Sequence, residues 1–409
     1  MITLETIRAA ARELEGVAQR TPMEYSRALS QVAGVPVHLK CENLQRGGSF
    51  KIRGAYTRMS RLSPAEKAAG VIAASAGNHA QGVALAARML GISATVYMPV
   101  DAALPKVAAT AGYGAEIRRA GSSVDEALVE ARAEAERTGK VVVHPFDHPD
   151  IVTGQASIAL EIAEQTPEVA TVLVPTGGGG LLAGVGAGLR TVLGRPVEVV
   201  GVQAEGAAAY PASLSAGSPI PLEAMHTMAD GIAVATPGQV PLEIVQESVA
   251  RVETVTEEEI SRALLMLTER AKLVVEPSGA AGIAALMHRP GAYAGPVVAI
   301  LSGGNIDPLV LMRVLRHGMV AAGRYLQVQV RVKDTPGNLA RLLAHLADLD
   351  ANVLNVGHVR TAADLAVDEV DIAVECETNG AEHCDSVLRA LAGEDHYRVL
   401  WGSMEAPTA

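Results

Sequence analysis

Residues 171–193 read TVLVPTGGGGLLAGVGAGLRTVL. Thr171–Val174 is a short β-branched run and Leu181–Leu193 is a helical pattern, so the stretch reads as a strand, a glycine turn and a helix. Gly177, Gly178, Gly179 and Gly180 stand where the strand passes into the helix. With no side chains in the way, their N–H groups can surround an anion at the helix N-terminus. A tight turn by itself rarely needs so many glycines. A second reading is open here. Gly178, Gly180 and Ala183 match the dinucleotide-binding pattern G-x-G-x-x-A, and Glu205 follows at a plausible distance.

Moving outward, the same strand–turn–helix unit recurs. Val35–Lys40, Val71–Ser75, Ala94–Met98, Val141–Val143, Val197–Gln203 and Val297–Leu301 are further strand candidates. Helical patterns lie between them, among them Asn78–Leu90 and Ser122–Thr138. Alternation of this kind predicts an α/β fold with open parallel sheets, right-handed crossovers and helices on both faces. Ligands of such sheets bind at the carboxyl ends of the strands, where the glycine-rich turns fall.

The pattern changes after about residue 322. Tyr325–Lys333 reads YLQVQVRVK, a strict apolar–polar alternation that predicts a half-buried antiparallel strand. The turn Asp334-Thr335-Pro336-Gly337 follows, then a helix over Leu339–Leu349, strands over Ala351–Val359 and Glu369–Glu377, a helix over Glu382–Ala392 and a last strand over Tyr397–Trp401. The order βαββαβ predicts a ferredoxin-like module, with His317–Arg324 as the linker to it.

Composition excludes several classes of function. The 45 acidic and 34 basic side chains leave a net charge of −11, and no basic run offsets it, which argues against nucleic acid as a partner. Few aromatic residues are present to stack on bases. Cys41, Cys376 and Cys384 form neither a disulfide framework nor a zinc knuckle, which points to a reducing compartment. The opening stretch MITLETIRAAARELEG is a charged amphipathic helix with no secretory leader, and no uncharged apolar run reaches bilayer length. A cytoplasmic protein without membrane contact is expected.

Four further motifs carry chemistry. Ser49-Phe50-Lys51-Ile52-Arg53-Gly54 places one lysine among apolar neighbours at a helix start, where desolvation lowers an amine's pKa. Ser75-Ala76-Gly77-Asn78-His79-Ala80 opens a helix at a strand end, where free N–H groups favour a carboxylate. Leu301-Ser302-Gly303-Gly304-Asn305 lies at another strand end, and Glu276-Pro277-Ser278-Gly279-Ala280 sets a carboxylate and a hydroxyl at a helix start. The bland explanations are a solvated charge for Lys51 and ordinary helix capping for the Ser75 and Glu276 motifs. His144, Asp147 and His148 in HPFDHPD have a spacing that suggests metal ligands. The prolines break any shared helix face, and a loop lining a cleft explains them better.

Together these motifs resemble the fold-type II pyridoxal-phosphate enzymes, and within them the serine/threonine dehydratases, or threonine ammonia-lyases. The resemblance spans about residues 5–320, with all five motifs in order. It implies a catalytic domain over 1–320 with a small subdomain inserted at about 50–150. It makes Lys51 the Schiff-base lysine with Phe50 beside the cofactor, pyridoxal 5'-phosphate. Asn78 then holds the ring hydroxyl, Gly177–Gly180 and Leu181 the phosphate, and Ser302 the pyridine nitrogen. Ser75, Ala76, Gly77, Asn78 and His79 receive the substrate carboxylate, and Glu276 lies close to the cofactor. Residues 324–409 resemble an ACT domain, an amino-acid-sensing module, through DTPGNLARLL and NVLNVGHVR.

The resemblance implies elimination of water from L-threonine to an enamine that hydrolyses to 2-oxobutanoate and ammonium, with L-serine giving pyruvate in the same way. It also implies a role in isoleucine biosynthesis, allosteric response to isoleucine or valine at Asp334–Leu339, and a dimer or tetramer. A neutral Ser302 favours prompt β-elimination over transamination. Serine racemases of the family carry a serine where this chain has Ala76, and an alanine cannot move a proton, so racemisation is expected to be absent or slight. Some relatives hold a cation near the position of Glu205. The run EGAAAYPAS lacks the second carboxylate, and no metal is expected. The rival readings are a β-replacing relative, such as a cysteine synthase or threonine synthase, and a catalytically idle amino-acid sensor.

Overall fold

The computed structural model describes residues 2–360 and 365–403. The chain divides into two compact units, Met1–Asp307 and Pro308–Ala409. In the first, the strands in chain order are Met23–Tyr25 (β1), Val37–Lys40 (β2), Val71–Ala74 (β3), Ala94–Met98 (β4), Glu116–Arg119 (β5), Val141–Val142 (β6), Thr171–Pro175 (β7), Glu198–Ala204 (β8), Arg251–Val255 (β9) and Val297–Ile300 (β10). They form two sheets, ordered β1-β2-β10-β7-β8-β9 and β5-β4-β3-β6. Every pairing is parallel except that of the edge strand β1 with β2. Strands β3, β4, β7 and β10 are buried along their whole length, which is why they read as mostly apolar runs with no charged residue.

Helices cover both faces. The smaller sheet packs against Lys51–Ser60 and Asn78–Leu90 around Ile52, Met59, Val71, Val83, Val96 and Met98. The larger sheet packs against Pro149–Gln165 and Gly180–Leu193 around Val152, Ile158, Val172, Leu182 and Val199. Helix 149–165 touches helices 51–60 and 180–193 through glycine. A Cβ at Gly154 would lie 2.6 Å from the Arg53 carbonyl oxygen, and one at Gly184 would lie 2.7 Å from that of Val152. Backbones at this separation admit no side chain between them.

The second unit opens with the helix Pro308–Ala321. This corrects the expected linker at His317–Arg324 and moves the division from 320 to 307. LVLMRVLRHGMV is amphipathic enough to continue as helix, burying Val314 and Val320. The strands that follow are Tyr325–Lys333 (β11), Asn352–Val359 (β12), Glu369–Glu377 (β13) and Arg398–Ser403 (β14), with helices Asn338–Asp348 and Ala381–Ala392 between them. The antiparallel sheet runs β12-β13-β11-β14, the ferredoxin-like order. Leu326, Val328, Val330, Leu342, Ile372 and Val387 form its core. Arg331 and Asp371 pair directly across β11 and β13 at 2.6 Å, both buried. Of the span 324–409 expected as a regulatory domain, 361–364 and 404–409 lie outside the described residues.

Candidate active site

The segments that follow β3, β6, β7 and β10 line one cleft of about 900 Å³. All of the residues singled out by the five motifs, from Phe50 to Ser302, lie on it. Helix starts explain how the cleft is made. Away from it, Thr3, Ser26, Ser63 and Thr256 cap their helices with side-chain oxygens. The helices beginning at Lys51, Asn78, Gly180 and Pro277 have no side-chain cap. Their orphan N–H groups and positive dipole ends are left for an anion.

Lys51 stands at the first position of its helix, its Nζ 3.3 Å from the Pro145 carbonyl oxygen and 5.1 Å from the centre of the Phe50 ring. Burial lowers its pKa to about 8, against the opposing pull of Glu276. Its helix is tied down two residues later. Arg53, 2% exposed, donates to both oxygens of buried Glu42 at 2.9 and 2.8 Å and pairs with Glu161 at 2.7 Å. Burial works against the ionised Glu42, but Arg53 outweighs it and holds that carboxyl below its ordinary range.

The glycine cup is set by its neighbours. Gly179 has φ +95°, and a Cβ there would collide with the Tyr210 hydroxyl. A Cβ at Gly178 would collide with the Phe146 ring, and one at Gly180 would lie 3.0 Å from Phe146 Cβ. Gly177 lies under Ile232. Phe146 belongs to HPFDHPD, whose polar side chains are all engaged. His144 Nδ1 accepts from the Asp147 N–H, His148 Nδ1 accepts from the Asp150 N–H, and Asp147 Oδ1 accepts from the Val240 N–H. The loop is therefore a cleft wall. Among the described residues no group of three or more His, Cys, Asp or Glu is placed to hold a metal ion.

On the opposite wall, Asn78 Nδ2 donates to Glu276 Oε1 at 2.6 Å, and Asn78 Oδ1 accepts from Asn305 Nδ2 at 2.8 Å. Burial raises Glu276 to about 8, with Asp230 adding to the effect. Lys106 donates to that Asp230. Ser278 Oγ, on the same wall, is buried without a partner. Ser302 is 4% exposed and its main-chain oxygen accepts from the Phe50 N–H. Ser75 Oγ accepts from the Gly77 N–H, which bends the loop before the helix. The buried His79 ring donates to the Val143 carbonyl at 2.8 Å, and burial lowers its pKa to about 3. His79 is therefore a neutral strut, and what it offers an anion is its main-chain N–H.

A buried amine of lowered pKa shares this cleft with an uncapped glycine cup, a neutral serine and an asparagine braced by one amide and one carboxyl. This set fits a phosphorylated aromatic aldehyde. The cup admits a phosphate where any Cβ would clash, and the orphaned Ser278 hydroxyl marks a polar wall with donors to spare. Such a site defines an enzyme that works with a bound organic cofactor on amines. The chain belongs to the family of pyridoxal-phosphate dependent enzymes, which it matches over residues 14–303. The dinucleotide alternative falls with that match. The chain is 44% identical over 396 residues to the L-threonine ammonia-lyase of Thermotoga maritima, covering 97% of this chain and 98% of that protein. Among solved structures it is similar to the processed form of threonine deaminase isoform 2 from Solanum lycopersicum (TM-score 0.72, 35% identity, 76% of this chain and 88% of that one). It is also similar to maize serine racemase (TM-score 0.72, 32% identity, 76% and 96%).

Proposed function

We propose that the chain eliminates water from L-threonine to an enamine that, once released, takes up water and gives ammonia and 2-oxobutanoate, and that it converts L-serine likewise to pyruvate, in the cytoplasm. The observation that carries this is the lysine of lowered pKa in one cleft with the glycine cup and the neutral Ser302, in a chain aligned end to end with a threonine ammonia-lyase. When bound, the cofactor supplies a sink for the electrons left at Cα. The chain's residues do the rest. Uncapped N–H groups of Gly177–Gly180 and Leu181 hold the phosphate, and Asn78 holds the ring hydroxyl. Ser302, a neutral side chain, would be the partner of the pyridine nitrogen, and a partner that does not protonate it would favour loss of the β-hydroxyl. The turn Ser75–His79 receives the substrate carboxylate on main-chain N–H groups. Lys51, neutral near its lowered pKa, takes the Cα proton.

Ala76 offers no proton on the far side of Cα, so this reading differs from that of the racemase in proton traffic alone. The test is 2-oxo acid formation from L-threonine and L-serine, with Lys51→Ala as control and a chiral assay beside it. Activity lost in the variant supports the reading. D-serine in quantity would move it to racemisation, and no 2-oxo acid from cofactor-loaded protein would move it to β-replacement. We further propose a homo-oligomer without a tight divalent cation. A thermal shift by a divalent cation that disappears in Glu205→Ala would contradict the second point.

A further inference from the structure

Asn305 closes the motif at the end of β10, yet its side chain points back toward two other motifs. Its Nδ2 donates to the Gly47 carbonyl at 2.7 Å and to Asn78 Oδ1 at 2.8 Å, with Gln81 Oε1 more distant at 3.5 Å. A main-chain carbonyl can only accept, so the Gly47 contact fixes which end of the Asn305 amide is the NH₂. That end then meets Asn78, so Asn78 must present its oxygen there and its NH₂ on the other side. The Asn78 NH₂ gives one N–H to Glu276 Oε1 and keeps the other. Donation thus runs outward from Asn305, to Gly47 on one side and through Asn78 to Glu276 on the other. Space is reserved for it. Gly48 has φ +73°, a Cβ there would collide with the Asn305 side chain, and the Gly48 carbonyl accepts from the Gly304 N–H at 2.9 Å.

We propose that Asn305 is a positioning residue that sets the Asn78 amide so that an N–H, and not a carbonyl, faces the cofactor's ring oxygen. The proposal rests on family membership and on Asn78 as the ring-hydroxyl partner. A donor at that oxygen favours its ionised form, and a reversed amide would set two acceptors against each other. Asn305 touches neither cofactor nor substrate in this role.

The test starts from holoenzyme stripped of cofactor and titrated back, reading the dissociation constant and the pH dependence of the visible absorption band. Wild type, Asn78→Ala, Asn305→Ala, Asn305→Asp and the double alanine variant are compared. Asn305→Ala is expected to loosen the cofactor about tenfold, the order of one hydrogen bond to a charged acceptor. The double variant should match Asn78→Ala within about twofold, because Asn305 acts through Asn78. Asn305→Asp is the discriminating variant. It keeps the shape but turns a donor into an acceptor, so it should perturb the band at least as much as alanine does. A merely structural role would leave the near-isosteric Asp closer to wild type. Losses that multiply in the double variant, or an Asp variant with wild-type affinity and band, overturn the proposal. If the alanine variants do not fold, the Asp variant alone decides between the same two results. Wild-type protein that binds no cofactor would instead overturn the cofactor reading on which the proposal stands.

Discussion

Lys51 and Glu276 carry opposite pH signatures. For Lys51 the folded pKa of about 8 lies below the ordinary 10.5. The neutral amine, the form that attacks the cofactor aldehyde, is therefore already dominant just above pH 8. Cofactor uptake by stripped enzyme should speed up as pH rises, with its midpoint near pH 8 and not near 10.5, as stopped-flow absorbance would show. For Glu276 the folded pKa of about 8 lies above the ordinary 4.5, so the folded chain keeps a proton that the unfolded chain releases. Its contribution to stability is complete below about pH 4.5 and is lost as pH rises through about 8. Glu276→Gln keeps an acceptor for Asn78 and cannot ionise. It should flatten that part of the pH dependence and raise the urea midpoint at pH 8, and a variant with the wild-type slope would refute the assignment. Lys51, Asn78 and Ser302 were legible because each sits inside a short motif with its own local logic. Pro145, Phe146, Tyr210 and the role of Asn305 were not. Their meaning lies in contacts across long stretches of chain, such as Asn305 to Gly47, and these leave no mark on neighbouring residues.

At the level of elements, helix 149–165 is the spacer that sets Lys51 against the glycine cup. It meets the lysine's helix at Gly154 and the cup's helix at Gly184, backbone against backbone. Gly154→Ala would bring a methyl against the Arg53 carbonyl and Gly54 Cα, neither of which can turn aside. The expected cost is about 1–3 kcal/mol, read in the urea midpoint. Because Lys51 moves with its helix, kcat should fall further than the stability loss explains, by about tenfold or more. Gly112→Ala, in a helix where an added Cβ meets nothing within 4 Å, is the control and should change neither. The elements legible in the sequence follow the same physics. Strands buried on both faces, such as β4 and β7, declared themselves as apolar runs. The strands that went unforeseen, β1 (MEY), β5 (EIRR) and β9 (RVETV), all lie at sheet edges, where one flank faces away from the core and charge is tolerated. The helix 308–321 runs into the stretch His317–Arg324 expected as a linker, because its apolar face continues to Val320.

For the whole molecule, the change from helix-spaced to alternating pattern near residue 322 revealed a second unit, and it is this unit that makes the reading of regulation testable. Its first turn is locked from inside. Asn338 Nδ2 donates to the Lys333 carbonyl and to Thr335 Oγ1, both at 2.8 Å, and Gly337 takes φ +97° between them. Asp334 accepts from Arg360 Nε at 2.9 Å, which joins the turn to the end of β12. A turn so held keeps a fixed shape, with its own N–H groups bonded at Asp334, Thr335 and Asn338 and a charge pair at its edge. The Thermotoga relative aligns over both units, whereas the plant deaminase and racemase chains cover about the length of the first. If the second unit senses amino acids, L-isoleucine or L-valine should shift the rate of 2-oxobutanoate formation by the full chain. Asn338→Ala, which unlocks the turn, should abolish that shift while cofactor content and the visible band stay as in wild type. An effector can move an equilibrium only by its difference in affinity between two states, so the response must also appear reciprocally, as tighter or weaker effector binding when substrate is present. A rate indifferent to both amino acids, in protein whose Asn338 is intact, would remove the regulatory reading and leave the elimination chemistry untouched.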